Sequence, residues 1–277
     1  NNESICKKMR VSVKNFFEFQ FSDPPSYGIQ RLRMTPKESN RQKVLKWEMT
    51  FIGAKKEIEY FDHHGNNCIL TTFHRDIKTV SVLAEGMLEM KKTIGVINDE
   101  NKIPIGLFKR HTNLVKPGKR IKEFCKEFTD SSSPDLDLIY QVAKELKQIL
   151  VYKSGTTNVE TTAEEAFLQR TGVCQDFSHI LIACMRLLNF PARYVSGYLK
   201  INDEIEQEAT HAWTEVFVDN LGWVGIDVSN DIAINENYIV LATGFDYKDA
   251  KPIHGLQFES ENNTVKTRIN IQQQLIK

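Results

Sequence analysis

The hydrophobic pattern changes its period near residue 115, and this limits the chain to folds in which a β-rich stretch precedes a helix-containing one. Between about residues 27 and 115, Leu45, Trp47, Met49 and Phe51 alternate with Lys46, Glu48 and Thr50. That is the pattern of a strand with one buried face. Ile58 and Tyr60, the turn-rich Asp62–Asn67 stretch, and then Ile69, Thr71 and Phe73 predict a hairpin. Residues 77–90 and 94–97 supply further strands, and several short strands without a helix between them point to a sandwich or barrel-like domain. Past residue 115 the period is 3.6. Ile121, Phe124, Cys125 and Phe128 form one stripe after Pro117. Leu138, Val142, Leu146 and Ile149 form a second, with Ser133 as the expected N-cap, Pro134 at the first helical position and Asp135 in the first turn. Thr161 and Glu164 read as a capping box over a short helix, Ala163 to Arg170, that Gly172 ends.

A chain of 277 residues is long enough for about two domains with their own cores. The period change divides it into a β-rich N-terminal domain (1–115) and a second domain (116–277). Thirty-six basic residues balance 36 acidic ones, so no bulk field recruits nucleic acid or anionic lipid, and no glycine-rich phosphate motif is present. The five cysteines are odd in number and form no C-x-x-C pair, which favours reduced thiols. Without an 18-residue apolar run or a signal-peptide core, the expectation is a cytoplasmic protein without membrane or nucleic-acid partners. No metal or other cofactor is expected either. His63 and His64 of the one histidine cluster (with His74) would point to opposite faces of a strand. The acidic stretch Asn202–Glu208 lacks the alternation and central glycine of a calcium loop, and reads as a solvated connection beside the site. Oligomeric state stays open.

Chemistry concentrates after Gly172. Cys174 opens a helix whose stripe is Phe177, Ile180, Leu181, Cys184 and Leu188, stopping before Pro191. Unpaired first-turn N–H groups and the helix dipole favour a thiolate there, and the same N–H groups can hold an oxyanion. Cys184 falls on the buried stripe and reads as packing. A thiolate becomes an acyl-transfer catalyst when a base accepts and returns its proton. His211, opening the strand-like run HAWTEVFV, is the best-placed histidine, and Asp227, near the end of the next strand, can orient it as a third triad member does. With Asn220 and Leu221 as a two-residue turn, however, His211 faces Asn230 and Asp227 falls on the opposite face unless a bulge shifts the register. Asp176 reads as a first-turn carboxylate pointing away from the sulfur, and His179 as structural. Gln169 and Tyr152 are candidates, without a pattern to support them, for a second oxyanion donor.

The segments TGVCQDFSHILIACMRLLNFPARYVSGYL (171–199), THAWTEVFVDNLGWVGIDVSND (210–231) and TTAEEAF (161–167) resemble the bacterial transglutaminase-like cysteine proteins, a group described as candidate cysteine proteases. RLRMTPKESNRQKVLKWEM (31–49) resembles the β-rich region that precedes the core in this group, and FKRHTNL (108–114) and PIHGLQF (252–258) continue the likeness. The resemblance implies an α+β fold: a papain-like transglutaminase core, its Cys helix packed on an antiparallel sheet, behind an all-β N-terminal domain. It also implies a triad of Cys174 as nucleophile, His211 as base and acid, and Asp227 as orienting carboxylate. Where the family's Asp is often followed by Pro-Thr, Val228 and Ser229 follow here. The implied function is thiol-dependent acyl transfer or hydrolysis at an amide of a protein or peptide substrate, with hydrolysis favoured slightly over cross-linking. The competing reading is a noncatalytic protein- or peptide-binding module on the same fold.

Overall fold

A computed structural model describes residues 8–22, 26–74, 76–97, 103–129, 133–200, 206–207, 210–258 and 263–274. In chain order the strands of the first half are β1 (Lys8–Phe21), β2 (Tyr27–Leu32), β3 (Gln42–Ile52), β4 (Lys55–Phe61), β5 (Asn67–His74), β6 (Thr79–Lys91) and β7 (Val96–Ile97). The second half holds α1 (Lys119–Cys125), α2 (Asp135–Ile149), β8 (Val151–Tyr152), α3 (Ala163–Gln169), β9 (Thr171–Gly172) and α4 (Cys174–Leu187). There follow β10 (Ala192–Leu199), β11 (Glu206–Gln207), β12 (His211–Val218), β13 (Gly222–Asp227), β14 (Ile232–Ala233), β15 (Tyr238–Gly244), α5 (Tyr247–Ala250), β16 (Ile253–Phe258) and β17 (Asn263–Gln274).

Alternation builds the N-terminal sandwich. Val11, Val13, Asn15, Phe17 and Phe21 of β1 are buried while the residues between them are not, as a period of two requires. A five-stranded sheet, β11-β17-β1-β6-β3, faces a four-stranded one, β16-β2-β5-β4. Phe17, Val82 and Ala84 of the first meet Leu32 and Ile69 of the second in a shared apolar layer. Two features depart from the sequence reading. Leu45 sits at a bulge where the register of β3 on β6 shifts between Val44 and Lys46, so it turns to solvent, whereas Trp47, Met49 and Phe51 keep the inward face. The expected division at residue 115 also does not describe the sheets. β17 pairs with β1 over twelve residues and β16 with β2, so the C-terminal strands complete the N-terminal sandwich, while β7 joins β13 in the other sheet.

A third, six-stranded sheet runs β14-β13-β12-β10-β15, with β7 on β13. Helices α1 to α4 cover one face, where Phe177, Ile180, Leu181 and Cys184 of α4 are fully buried against Tyr194, Ala212 and Val216. Each such large apolar side chain contributes roughly 1.5–3 kcal/mol. Trp213, Trp223, Val195 and Phe108 fill the other face. Helix α2 begins at Asp135 with Pro134 as N-cap, one residue later than expected. The capping box over α3 is Thr162 and Glu165, one residue beyond the expected pair. Glu164 instead accepts from the N–H groups of Gly118, Arg120 and Ile121 and so caps α1. Arg170, with φ of 55°, ends α3 in place of Gly172.

The sandwich also closes the free edge of the helix-covered sheet. Gln42 donates to Val240 O (2.9 Å) and accepts from Val240 N (2.9 Å), standing in for a strand neighbour of β15. Asn66 does the same for Thr243, at 2.8 and 2.9 Å. Arg41 donates to Tyr238 O at 3.1 Å. Val11, Val13, Leu88 and Met90 pack beneath these contacts on Tyr198, Ile239 and Leu241.

Candidate active site

Cys174 is the first residue of α4 and is only partly buried, while the residues after it that face the sheet are fully covered. The short parallel pair β8–β9 feeds the chain into this position: Val151 N donates to Arg170 O (2.9 Å) and Lys153 N to Gly172 O (2.8 Å). Asp176, buried in the first turn, accepts from Val173 N (2.8 Å) and Thr157 Oγ1 (2.7 Å), fixing the entry to the helix. Burial pushes its carboxyl pKa upward. A Cβ on Gly172 would stand 2.6 Å from Asp176 Oδ2, so this approach needs glycine. Cys174 opens α4, where the first-turn N–H groups have no i−4 carbonyl within the helix.

His211 opens β12, and its Nε2 lies 2.6 Å from Asp227 Oδ2. The hairpin that brings them together differs from the two-residue turn by one residue. Val218 pairs with Gly222, leaving Asp219, Asn220 and Leu221 as the loop, with Asn220 at φ 63° and Gly222 at φ 101°. The ladder runs from there to Thr214–Ile226, and projected onward it sets residue 229 opposite His211. Asp227 is then two positions away on the same face, because a one-residue slip exchanges the faces of a strand. The obstacle in the sequence arithmetic disappears.

Asp227 is 1% exposed and carries a dense set of donors. Besides His211, Oδ2 accepts from Asn230 Nδ2 (2.7 Å) and Tyr238 Oη (2.8 Å). Oδ1 accepts from Ser229 N (2.9 Å), Ser229 Oγ (2.6 Å) and Asn230 N (3.2 Å). Burial alone would raise the carboxyl pKa. The bonds to His211, Ser229 and Asn230 and the charge of the imidazolium outweigh that and bring it down to about 2. Ser229, which stands where the family often has Thr, thus supplies two donors to the carboxylate.

His211 is hydrogen-bonded to Asp227, and Cys174 stands near enough to the same ring for its charge to act on the imidazole. With Nε2 on the carboxylate, Nδ1 is the nitrogen left for the thiol. Burial disfavours the imidazolium, but the bonds and negative charges of Asp227 and Cys174 prevail and push its pKa up to about 10. An imidazole held by a carboxylate on one nitrogen and facing a thiol with the other is an arrangement that can accept a proton and return it.

The other singled-out residues separate clearly. His179 is fully buried, accepts from Tyr247 N (3.2 Å) and is pushed down to about 3 by burial, with the charge of Arg186 adding to this. Cys184 is buried, and burial raises its thiol pKa well above the ordinary value. Tyr152, half-exposed, has its hydroxyl pKa raised by burial and then by the charges of Cys174, Asp227 and Asp176, which places it at the site. Gln169 is exposed at the end of α3. His63 and His64 lie in a turn with rings 4.2 Å apart, and no group of three metal-ligating side chains stands together among the described residues. Of the acidic stretch 202–208, all but 206–207 lies outside the described residues; those two form β11 against β17. Asn230 and Tyr238 were not foreseen. Asn230 could be read from its place three residues after an aspartate, whereas Tyr238 arrives from β15 without a local signal.

Residues 122–228, which contain Cys174, His211 and Asp227, match the model of the transglutaminase-like superfamily, and residues 12–89 match that of the bacterial transglutaminase-like N-terminal region. The chain carries a transglutaminase-like core behind a bacterial transglutaminase-like N-terminal region. This transglutaminase-like chain is 28% identical over 284 residues to an uncharacterized protein of Mycobacterium tuberculosis, covering 92% of this chain and 90% of the relative. It is 26% identical over 263 residues to an uncharacterized protein of Mycobacterium leprae, covering 89% of this chain and 92% of the relative. Its fold is shared by a candidate cysteine protease from Cytophaga hutchinsonii, with a TM-score of 0.80 at 19% identity, covering 98% of this chain and 92% of that one. No helix among the described residues is long and apolar enough to cross a membrane.

Proposed function

We propose that the protein is an enzyme that cleaves amide bonds through a Cys174 thioester. The observation that carries this reading is the 2.6 Å bond between Asp227 and His211, with Cys174 at the start of α4 near enough for its charge to act on the same imidazole. The thiolate attacks the amide carbon of a peptide bond or Gln side chain, forming the S–C bond. First-turn N–H groups hold the oxyanion. His211 gives its proton to the departing amine as the C–N bond breaks, then takes a proton from water as water attacks the thioester and the thiolate leaves. Asp227 stays ionised throughout and keeps Nε2 occupied. Hydrolysis is favoured over transfer to an amine because Cys174 is only partly covered and Tyr152 beside it is 53% exposed, which leaves the thioester open to water.

The test is mass spectrometry of a glutamine-containing peptide library incubated with wild type or Cys174→Ala, with and without a primary amine. Wild-type-dependent fragments, or a one-dalton gain at Gln, are the expected hydrolytic outcomes. Amine adducts in place of either would move the reading to cross-linking. Identical product sets from wild type and Cys174→Ala would overturn it.

A further inference from the structure

β8, the strand paired with the one that leads into Cys174, has an open edge. In the β8–β9 pair, Val151 N and Lys153 N both point at β9, taking Arg170 O and Gly172 O. Because N–H and C=O groups alternate sides along a strand, those of Tyr152 point the other way. β8 has β9 as its one strand neighbour, and no partner to the Tyr152 main chain is found among the described residues. Val151 is 60% exposed and Tyr152 53%, so this edge faces solvent. It is also tied to the reacting sulfur: Tyr152 pairs with Gly172, two residues before Cys174, and its hydroxyl lies within electrostatic reach of the thiol. The Tyr152 ring is steadied from behind by Phe177 of α4, at 6.2 Å in an edge-on arrangement.

We propose that the acyl donor is an extended polypeptide segment that adds as a strand to the outer edge of β8, pairing its main chain with Tyr152 N–H and C=O and so delivering one of its amide carbons to Cys174. This rests on the thioester reading and names its substrate class. A free amino-acid amide, or a Gln side chain on a folded helical surface, has no extended main chain to offer this edge. An extended peptide gains two main-chain bonds, and the sequence-independence of those bonds leaves selectivity to the side chains.

The probes are N-acetyl-tripeptidyl chloromethyl ketones carrying Ala, Leu or Gln beside the ketone, compared with chloroacetone, which bears the same reacting group and no peptide. Labelling of Cys174 is followed by intact mass. At least one peptidyl probe labels wild type about tenfold or more faster than chloroacetone, and N-methylation of the pairing amide in that probe removes the advantage. Proline at an edge position whose N–H points outward keeps the β8–β9 bonds and deletes the donor. Tyr152→Pro therefore loses about fivefold to tenfold more of the peptide advantage than Tyr152→Ala, in line with one main-chain hydrogen bond, while the two variants react alike with chloroacetone. Peptide probes no faster than chloroacetone, or an advantage indifferent to every N-methylation in wild type, would overturn the proposal whether or not the proline variant folds. Wild type in which chloroacetone labels Cys174 no faster than free cysteine would instead overturn the underlying thioester reading, and this proposal with it.

Discussion

Replacing Tyr238 by Phe removes a single oxygen, the one that donates to Asp227 Oδ2 at 2.8 Å. The ring keeps its edge-on packing against Trp213, at 5.2 Å and 81°, so no cavity of consequence opens. The carboxylate retains His211 and Asn230 on Oδ2 and Ser229 and Asn230 on Oδ1. A hydrogen bond to a charged group contributes about 1.5–3 kcal/mol, so Tyr238→Phe lowers unfolding free energy by about 2 kcal/mol at pH 7. The pH dependence follows from Asp227. Its pKa in the folded protein, about 2, lies below the ordinary 3.8, so its stabilisation is complete above the ordinary value and is lost as pH falls through about 2. The variant's carboxyl titrates nearer the ordinary value. The gap between the two proteins therefore shrinks by about a third at pH 3 and further below it. Urea unfolding of both proteins at pH 7 and pH 3, extrapolated linearly, measures this. Equal stability at pH 7, or a gap of the same size at both pH values, would refute the view that Tyr238 acts by holding the ionised Asp227.

Three further outcomes follow from the same geometry. Asp227→Asn keeps the shape but loses the charge that favours the imidazolium, so Cys174-dependent turnover falls at least about a hundredfold with little change in fold, measured by kcat/KM beside circular dichroism. Gln42→Ala leaves Val240 N and O without their partner at the edge of β15 and costs about 2–3 kcal/mol in urea unfolding; a loss under about 0.5 kcal/mol would show that water replaces the amide there. Gly172→Ala drives a Cβ into Asp176 and reduces Cys174 alkylation together with thermal stability, whereas Gly155→Ala, which meets no atom within 4 Å but sits at φ 76°, affects stability alone.

What the sequence made legible was local. The helix that opens at Cys174, the β4–β5 hairpin and the α3 cap each depend on residues within about eight positions of one another, and propensity with periodicity found them to within a residue or two. β1 carries an equally clear alternation, Val11 to Phe21, which a reading begun at residue 27 passes over. The return of β16 and β17 to β2 and β1 has no local signature, because strand pairing over some 250 positions is decided by which edges stay open after the rest has folded. In the site, Cys174, His211 and Asp227 could be named from residue type and the family likeness. Their alignment could not, since it depends on a three-residue rather than a two-residue loop at Asp219–Leu221. Tyr238 and the Gln42 and Arg41 contacts that steady its strand come from elements 11 and about 200 residues away from Asp227 and Val240, and only the packed sheets bring them together.

The most direct measurement is the rate of iodoacetamide alkylation of each cysteine at pH 6.5, read by peptide mass mapping, in wild type, Cys174→Ala and His211→Ala. Cys68, Cys125 and Cys184 are buried, and Cys6 is read separately on its own peptide, so a fast phase can be assigned. A Cys174 paired with His211 reacts at least about tenfold faster than free cysteine at this pH, the phase vanishes in Cys174→Ala, and it slows by a similar factor in His211→Ala. A Cys174 that reacts no faster than free cysteine, or a fast phase that survives the loss of His211, would contradict the thiolate–imidazolium pair on which the proposed chemistry depends.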